Sequence, residues 1–369
     1  MIILHLTKKY PGALGGDAVV VSNLQKQQVA AGHKVVIVTS NCTEIATRDH
    51  LYKVGLHDMP HRLDTITLWR MLSLILLFFQ MFFIVGKEQP DIIHAHSVDM
   101  AFFASFAARF FGVPMVHTFH IVTFYDGAQS LLRRKSELWL AKRAGLVSVT
   151  APNAYDVQKL QAAGLSQTTL LHNGVDVAFW ENGNRSPRHR PFTFVTIGRL
   201  AEQKGYEYLV RAVALLADAA PDKFCVVIAG SGPQEASLQQ LARDLHVDHL
   251  ISLVGPKTHR QVRRLLASAD AFVSPSLYET TPITVLEAWA AALPVISTPV
   301  GILRDMPADM DATYIVPAKN ARALAATMRR CMANASARAA IASNGHKEVK
   351  KYAWPNIAQS AERIYRSAA

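Results

Sequence analysis

Cysteine is scarce in this chain. Cys42, Cys225 and Cys331 are the only three in 369 residues, scattered and odd in number. No CxxC pair occurs, which excludes a disulfide framework and a cysteine zinc cage and points to a reducing compartment. No secretory leader is expected either: in MIILHLTKKYPG the apolar run precedes the lysines and is far too short for one. Charged residues make up only 18%, against 50% apolar residues and a mean hydropathy of +0.13, which excludes a disordered chain. Acidic charge is the scarcer sign, 28 Asp+Glu against 39 Lys+Arg, for a net +11. That excess brings nucleic acid, anionic lipid and phosphate forward as partners. It is uneven: residues 1–181 hold 16 basic and 13 acidic side chains, whereas 182–369 hold 23 and 15.

The length suits two domains. Short apolar runs at 2–6, 34–39, 91–94, 115–118, 146–150 and 168–171, several separated by helix-patterned stretches, predict a parallel sheet with crossover helices. The pattern stops at ENGNRSPRHRP (181–191), read as a linker. A second series follows, with strands at 192–198, 224–230, 251–255, 271–276 and 294–299 and helices at 205–217, 234–245, 258–267 and 282–292. The expectation is two doubly wound α/β domains, 1–181 and 182–354, with a ligand cleft where the carboxyl ends of their strands face one another. The last helical stretch, 355–369, is expected to pack back on the first domain.

Residues 66–85, ITLWRMLSLILLFFQMFFIV, carry one charge, Arg70. The uninterrupted part from Met71 is fifteen residues, about 22 Å as a helix against a hydrocarbon core of about 30 Å. A core helix covering the sheet is the leading reading, followed by an in-plane contact with an anionic membrane through 62–87, and then a span.

The richest stretch for chemistry is SPSLYETTPITVLEAW (274–289). Pro282 suits a first helical position, with Thr281 or Thr280 as cap, so the loop holding Glu279 runs into a helix N-terminus, an anion-binding feature. Glu287 lies more than a turn along, within reach of a polyol such as ribose. In GRLAEQKG (198–205), Arg199 and Lys204 follow the first strand of the second domain, where a planar fork and a point charge can neutralise a diphosphate without metal. Each of these residues taken singly reads as an ordinary surface group; their co-occurrence raises the functional reading.

Gly15 and Gly16, between the first strand and first helix, allow close approach of a ligand to the backbone. Neither that turn nor AGSGPQE (229–235) fits GxGxxG, which argues against a nicotinamide site. His117 and His120 in VHTFH, and His94 and His96 in DIIHAHS, lack an accompanying ligand set, and no metal is expected. Asp309 and Asp311 read as turn residues.

In order, GALGGD (12–17), PDIIHAHS (90–97), VHTFH (116–120), HNGVD (172–176), GRLAEQKG (198–205), IAGSGP (228–233), SPSLYETTPITVLEA (274–288) and ALPVISTPVGI (292–302) resemble the retaining GT-B glycosyltransferases of family four, over nearly the whole chain. The resemblance implies a GT-B fold, an acceptor-binding first domain, and a second domain that binds a nucleotide-diphosphate sugar, with UDP ahead of GDP. It matches Arg199 and Lys204 to the diphosphate pair, Glu279 to the acid on the donor sugar's hydroxyls, and Glu287 to the acid on the ribose. Thr280, Thr281 and Pro282 would line sugar and phosphate, Gly16 would lie against the diphosphate, His120 near the transferred sugar, and Lys257 near the base. Thr280 and Thr281 stand where the family commonly has glycine and an aromatic or aliphatic residue, a departure that bears on the donor sugar more than on the reaction. The implied reaction is metal-independent substitution with retention. The implied setting is polysaccharide or glycolipid synthesis in the cytoplasm, at the inner face of the membrane if the acceptor is lipid-linked. The acceptor class stays open among glycan, glycolipid and small molecule. The rivals are a nucleotide-sugar epimerase on a similar frame and a basic nucleic-acid binder, the latter supported by charge alone; no specific nucleic-acid partner is expected.

Overall fold

The computed structural model describes the chain except residues 10–15, 42–49, 55–62, 121–137, 145–147, 182–190, 219–222 and 308–309. It divides into two compact units, Met1–Asn173 with Trp354–Ala369, and Gly174–Ala353.

The first unit runs β1 (Ile2–Lys9), α1 (Gly16–Ala30), β2 (Lys34–Asn41), β3 (Leu51–Lys53), α2 (Leu63–Glu88), β4 (Ile92–Ala95), α3 (Val98–Phe111), β5 (Met115–Thr118), β6 (Ser148–Ala151), α4 (Ala154–Ala162) and β7 (Thr168–Leu170). The strands form one parallel sheet in the order β3-β2-β1-β4-β5-β6-β7. Such strands are covered on both faces and therefore read as apolar runs. Alternation along β1 sends Leu4 and Leu6 into the core beneath α2 and α3, and Ile3 into the core beneath α1.

The second unit runs α5 (Val177–Glu181), β8 (Phe192–Ile197), α6 (Tyr206–Ala217), β9 (Phe224–Ala229), α7 (Glu235–Asp244), β10 (Ile251–Leu253), α8 (His259–Ser268), β11 (Ala271–Ser274), α9 (Ile283–Ala290), β12 (Val295–Ser297), β13 (Tyr314–Ile315), α10 (Ala321–Ala333) and α11 (Ala335–Glu348). Its parallel order, β10-β9-β8-β11-β12-β13, repeats the doubly wound pattern. In each sheet the strand order reverses next to the unit's first sheet strand, between β1 and β4 and between β8 and β11. Ligands of doubly wound sheets bind outside the carboxyl ends of the strands at such points.

The expected α/β class and doubly wound domains are both present. The expected boundary at 181/182 is shifted: residues 174–181 belong to the second unit, because Val175 and Trp180 are buried in its core with Leu266 and Trp289. The linker proper, 182–190, lies outside the described residues. The final helix, α12 (Trp354–Ala368), belongs to the first unit. Ile357, Ala358, Ala361 and Tyr365 form one buried stripe against Val20 and Leu24 of α1, and burying Ile357 alone contributes about 1.5–3 kcal/mol.

The apolar stretch 66–85 lies in α2, described at side-chain level from Ile75 onward. Met81, Ile84 and Val85 are buried, as a core helix requires, whereas Phe79 and Phe83 are 64% and 65% exposed. Among the described residues no helix is long and apolar enough to cross a membrane.

Candidate functional site

The switch point of the second sheet gathers most of the polar residues singled out above. After β8 the chain makes a short 3-10 turn, Glu202–Lys204, and reverses at Gly205 with φ +64°. A Cβ on Gly205 would sit 2.2 Å from the Pro275 carbonyl oxygen, so only glycine lets this loop press against the one after β11. The two loops are also joined by the Leu277 N–H, which donates to the Gln203 carbonyl at 2.8 Å. This contact brings the Lys204 ammonium 2.5 Å from Glu279 Oε1, which also accepts from the Ser276 hydroxyl at 2.9 Å. Both members of the pair are largely covered, at 18% and 12% side-chain exposure. Arg199, at the same end of β8, is exposed.

The following helix begins one residue later than expected. Pro282 occupies the cap position of α9 with ψ 80°, not the first helical position, and no side chain caps the helix. The reason is a tight turn in which the Ile283 N–H donates to the Thr281 carbonyl at 2.9 Å. Thr281 is therefore not a cap. Its hydroxyl oxygen is buried and has no hydrogen-bond partner among the described residues, which leaves a polar atom whose desolvation no described residue offsets. Gly301, at φ +52°, brings another loop against this turn; a Cβ there would meet the Thr280 carbonyl oxygen at 2.6 Å. Glu287, on α9, is buried, and burial pushes its carboxyl up to about 8. It is mainly protonated at neutral pH.

Lys257 follows the edge strand β10, with its ammonium donating to the Val254 carbonyl of its own loop. Gly16 is the first residue of α1, and Gly15 lies outside the described residues. Asp311 is in a turn, as expected, and Asp309 lies outside the described residues.

In the first unit His120 follows β5, and its Nε2 is 3.0 Å from His96 Nδ1. His96 in turn belongs to a buried group that sequence reasoning missed. His5, His94 and His96 have ring nitrogens within 4.8 Å of one another, the one group of metal-binding geometry among the described residues. All six nitrogens are already engaged. His5 meets Gln28 and His96, His94 meets Tyr365 and Thr118, and His96 meets His5 and His120. Burial holds His5 down at about 4 and, with the neighbouring rings, holds His94 and His96 well below 6.5. The overlooked signal was His5 itself, a polar residue inside the apolar run IILHL. His117, buried on β5, is pushed down to about 3 by burial.

Known proteins resemble this chain in sequence and in fold. The family described as Glycosyltransferase Family 4 matches residues 14–179, and Glycosyl transferases group 1 matches 179–348. Glycogen synthase of Mycobacterium tuberculosis is 29% identical over 288 residues, 76% of this chain and 69% of that protein. One component of the human phosphatidylinositol N-acetylglucosaminyltransferase is 26% identical, covering 96% of this chain and 74% of its own. Among solved structures, Anabaena HepE in complex with UDP superposes over the whole of both chains with a TM-score of 0.82 at 17% identity, a likeness of fold.

Proposed function

Because the chain belongs to the group 1 glycosyltransferases of the GT-B fold, we propose that its second unit binds a nucleotide-diphosphate sugar at the β8/β11 switch point. The sugar then passes to an acceptor hydroxyl with retention of configuration. The observation that carries this reading is the convergence there of the Lys204–Glu279 pair, the Thr281 hydroxyl, which has no partner among the described residues, and the buried Glu287 carboxyl. Arg199 and Lys204 neutralise the diphosphate and Glu279 receives donor-sugar hydroxyls. Glu287 holds the ribose diol, and Thr280, Thr281 and Pro282 line the sugar and phosphate. Lys257 stands beside the base.

In the reaction, the bond from the anomeric carbon to the diphosphate oxygen breaks as the bond to the acceptor oxygen forms on the same face. The acceptor's proton passes to the leaving phosphate. The cations and the α9 N-terminus stabilise the charge that grows on it. Two side-chain cations facing the diphosphate supply the neutralisation a divalent ion would give, so we read the reaction as metal-independent. A UDP-sugar is the first donor choice and a GDP-sugar the second; HepE, of the same fold, was solved with UDP.

The acceptor in this reading is lipid-linked and met at the cytoplasmic face of a membrane. Its support is an apolar face of the first unit where Phe79, Phe83, Phe110 and Trp139 are half or more exposed. Cations border it: Lys87 lies 5.9 Å from the Phe83 ring centre and Arg143 5.4 Å from that of Trp139. Aromatic bodies with basic rims suit the interface of an anionic bilayer. The named substrate of the human relative, phosphatidylinositol, is itself a lipid.

Incubating the protein with UDP- and GDP-sugars and candidate lipid acceptors, with EDTA present, tests this reading. Acceptor-dependent nucleotide release with an α-linked product from an α-linked donor is expected. Donor conversion without acceptor would favour the epimerase instead.

A further inference from the structure

The second unit holds a cavity that shares no residue with its switch point. Helices α6 and α10 pack through Leu209, Val213 and Leu216 of one and Leu324, Ala325 and Met328 of the other, all buried in one core. Beside this contact the two helices leave an open cavity of about 230 Å³ lined by Leu215, Leu216, Arg322, Ala325, Ala326 and Arg329. Its lining is apolar apart from the arginines, and Leu215 is 43% exposed within it. Arg322, Ala325, Ala326 and Arg329 follow the spacing i, i+3, i+4, i+7 and therefore share one face of α10. The two arginines end that stripe, two turns or about 10 Å apart along the helix axis, with the alanines between them.

The arginines of this layer fall into two kinds. Arg330 of α10 lies 4.9 Å from the Tyr314 ring centre. Arg338 of α11 donates to the Cys331 and Met332 carbonyls at 2.6 and 2.8 Å and lies 5.1 Å from the Phe192 ring centre. Arg322 and Arg329, by contrast, are exposed and have no ion pair or hydrogen bond with a described residue. The sequence of α10, ARALAATMRRCMA, contains no acid at all. Arg322 also stands in its first turn, where the helix dipole disfavours a cation and no acidic side chain offsets the cost. Neither charge stabilises the fold through a described contact, whereas both guanidinium forks suit carboxylates from outside.

We propose that this cavity docks an amphipathic helix of a partner protein, one that carries two carboxylates two turns apart and an apolar side chain between them. Such a helix repeats the spacing of the lining itself, so acids at i and i+7 meet the two arginines while the residue at i+3 or i+4 enters the cavity. The space suffices for that side chain, since a cavity of roughly 150 Å³ already accepts a benzene ring. A basic segment is repelled by the same arginines, and a polyol gains nothing from the apolar lining. The docking surface does not depend on what the switch point binds.

Fluorescence anisotropy with the full-length protein tests it. The probe is a labelled, stapled helical peptide of alanine and glutamine carrying two glutamates two turns apart and one leucine midway. Saturable binding at low salt is expected, weakening as salt is raised. Arg322→Ala and Arg329→Ala should each weaken it by up to about fivefold, the scale of one exposed ion pair. Ala326→Phe, which fills the cavity from its exposed side, should abolish it, as should serine in place of the peptide's leucine. Circular dichroism identifies folded variants, and the two arginine variants suffice if Ala326→Phe does not fold. No saturable binding to the wild type overturns the proposal, as does equal affinity for the leucine-free peptide or an unchanged affinity in the folded double arginine variant. Flotation with anionic vesicles that depends on the same two arginines, without peptide binding, would assign the surface to lipid and overturn it too.

Discussion

Replacing Glu287 by glutamine removes the ionisation of a carboxyl that burial holds near 8, against an ordinary 4.5. In the unfolded chain this group loses its proton above about 4.5, while in the folded unit it keeps it up to about 8, so the folded state binds more protons across that window. Stability conferred by the wild type therefore falls as pH rises from about 4.5 to 8, at about 1.4 kcal/mol per pH unit, and is level above it. Between pH 5 and 7 the loss is on the order of 2–3 kcal/mol. The second unit spans Gly174–Ala353, and a domain of that size melts with an entropy of about 0.4 kcal/mol/K, so the loss equals about 7 °C in Tm. Glu287→Gln lacks this component. Its Tm relative to the wild type is expected to rise by about that amount from pH 5 to 7 by scanning calorimetry, and to stop rising above about pH 8. All other titrating groups are shared and cancel in the difference. Melting curves that stay parallel over this range would refute the burial argument for Glu287.

The same carboxyl links binding to pH, because ribose hydroxyls donate to the ionised form. The affinity of UDP is expected to rise with pH between 6 and 8, by at most about tenfold per unit, and a flat calorimetric titration series would count against Glu287 as the ribose acid. Lys204→Ala or Glu279→Ala should lower turnover by roughly 100-fold or more, the scale of one preorganised stabilising group; near-normal rates in either folded variant would remove the pair from the reaction. Thr281→Val replaces a buried hydroxyl that has no partner among the described residues by a methyl group and should stabilise the unliganded protein by about 1 kcal/mol while weakening nucleotide-sugar binding, a combination read by paired melting and titration. Flotation with anionic vesicles should recover the protein at low salt and lose it when Phe79 and Phe83 are both changed to serine; no association with the wild type would remove the membrane reading.

Much of the fold was legible because parallel strands buried on both faces must be apolar, as VVIV on β2 and FCVVIA on β9 are. The short edge strands β3 and β13 escaped, since three or two residues leave no period to detect. The boundary slipped by eight residues because ENGNRSPRHRP announces a break through its composition, whereas Val175 and Trp180 declare their allegiance only by packing. At the site, the types and positions of Lys204 and Glu279 were readable, but their ion pair spans 75 residues and depends on the reversal at Gly205. The proline rule placed Pro282 one position too far into its helix, because the turn through Thr281 overrides a statistical preference. The histidine chain was least legible. Its members come from β1, α1, β4 and the end of β5, and only parallel pairing of β1 with β4 sets His5 opposite His94.

A thermal-shift series with UDP, GDP, ADP and their common sugar conjugates, without added metal, bears most directly on the second unit as a nucleotide-sugar site, since a ligand that binds only the folded state raises its Tm. A clear rise is predicted with one nucleotide series, the uridine series first, together with its loss in Glu287→Ala. No rise with any of them from a folded sample would contradict the assignment of the β8/β11 switch point to the donor.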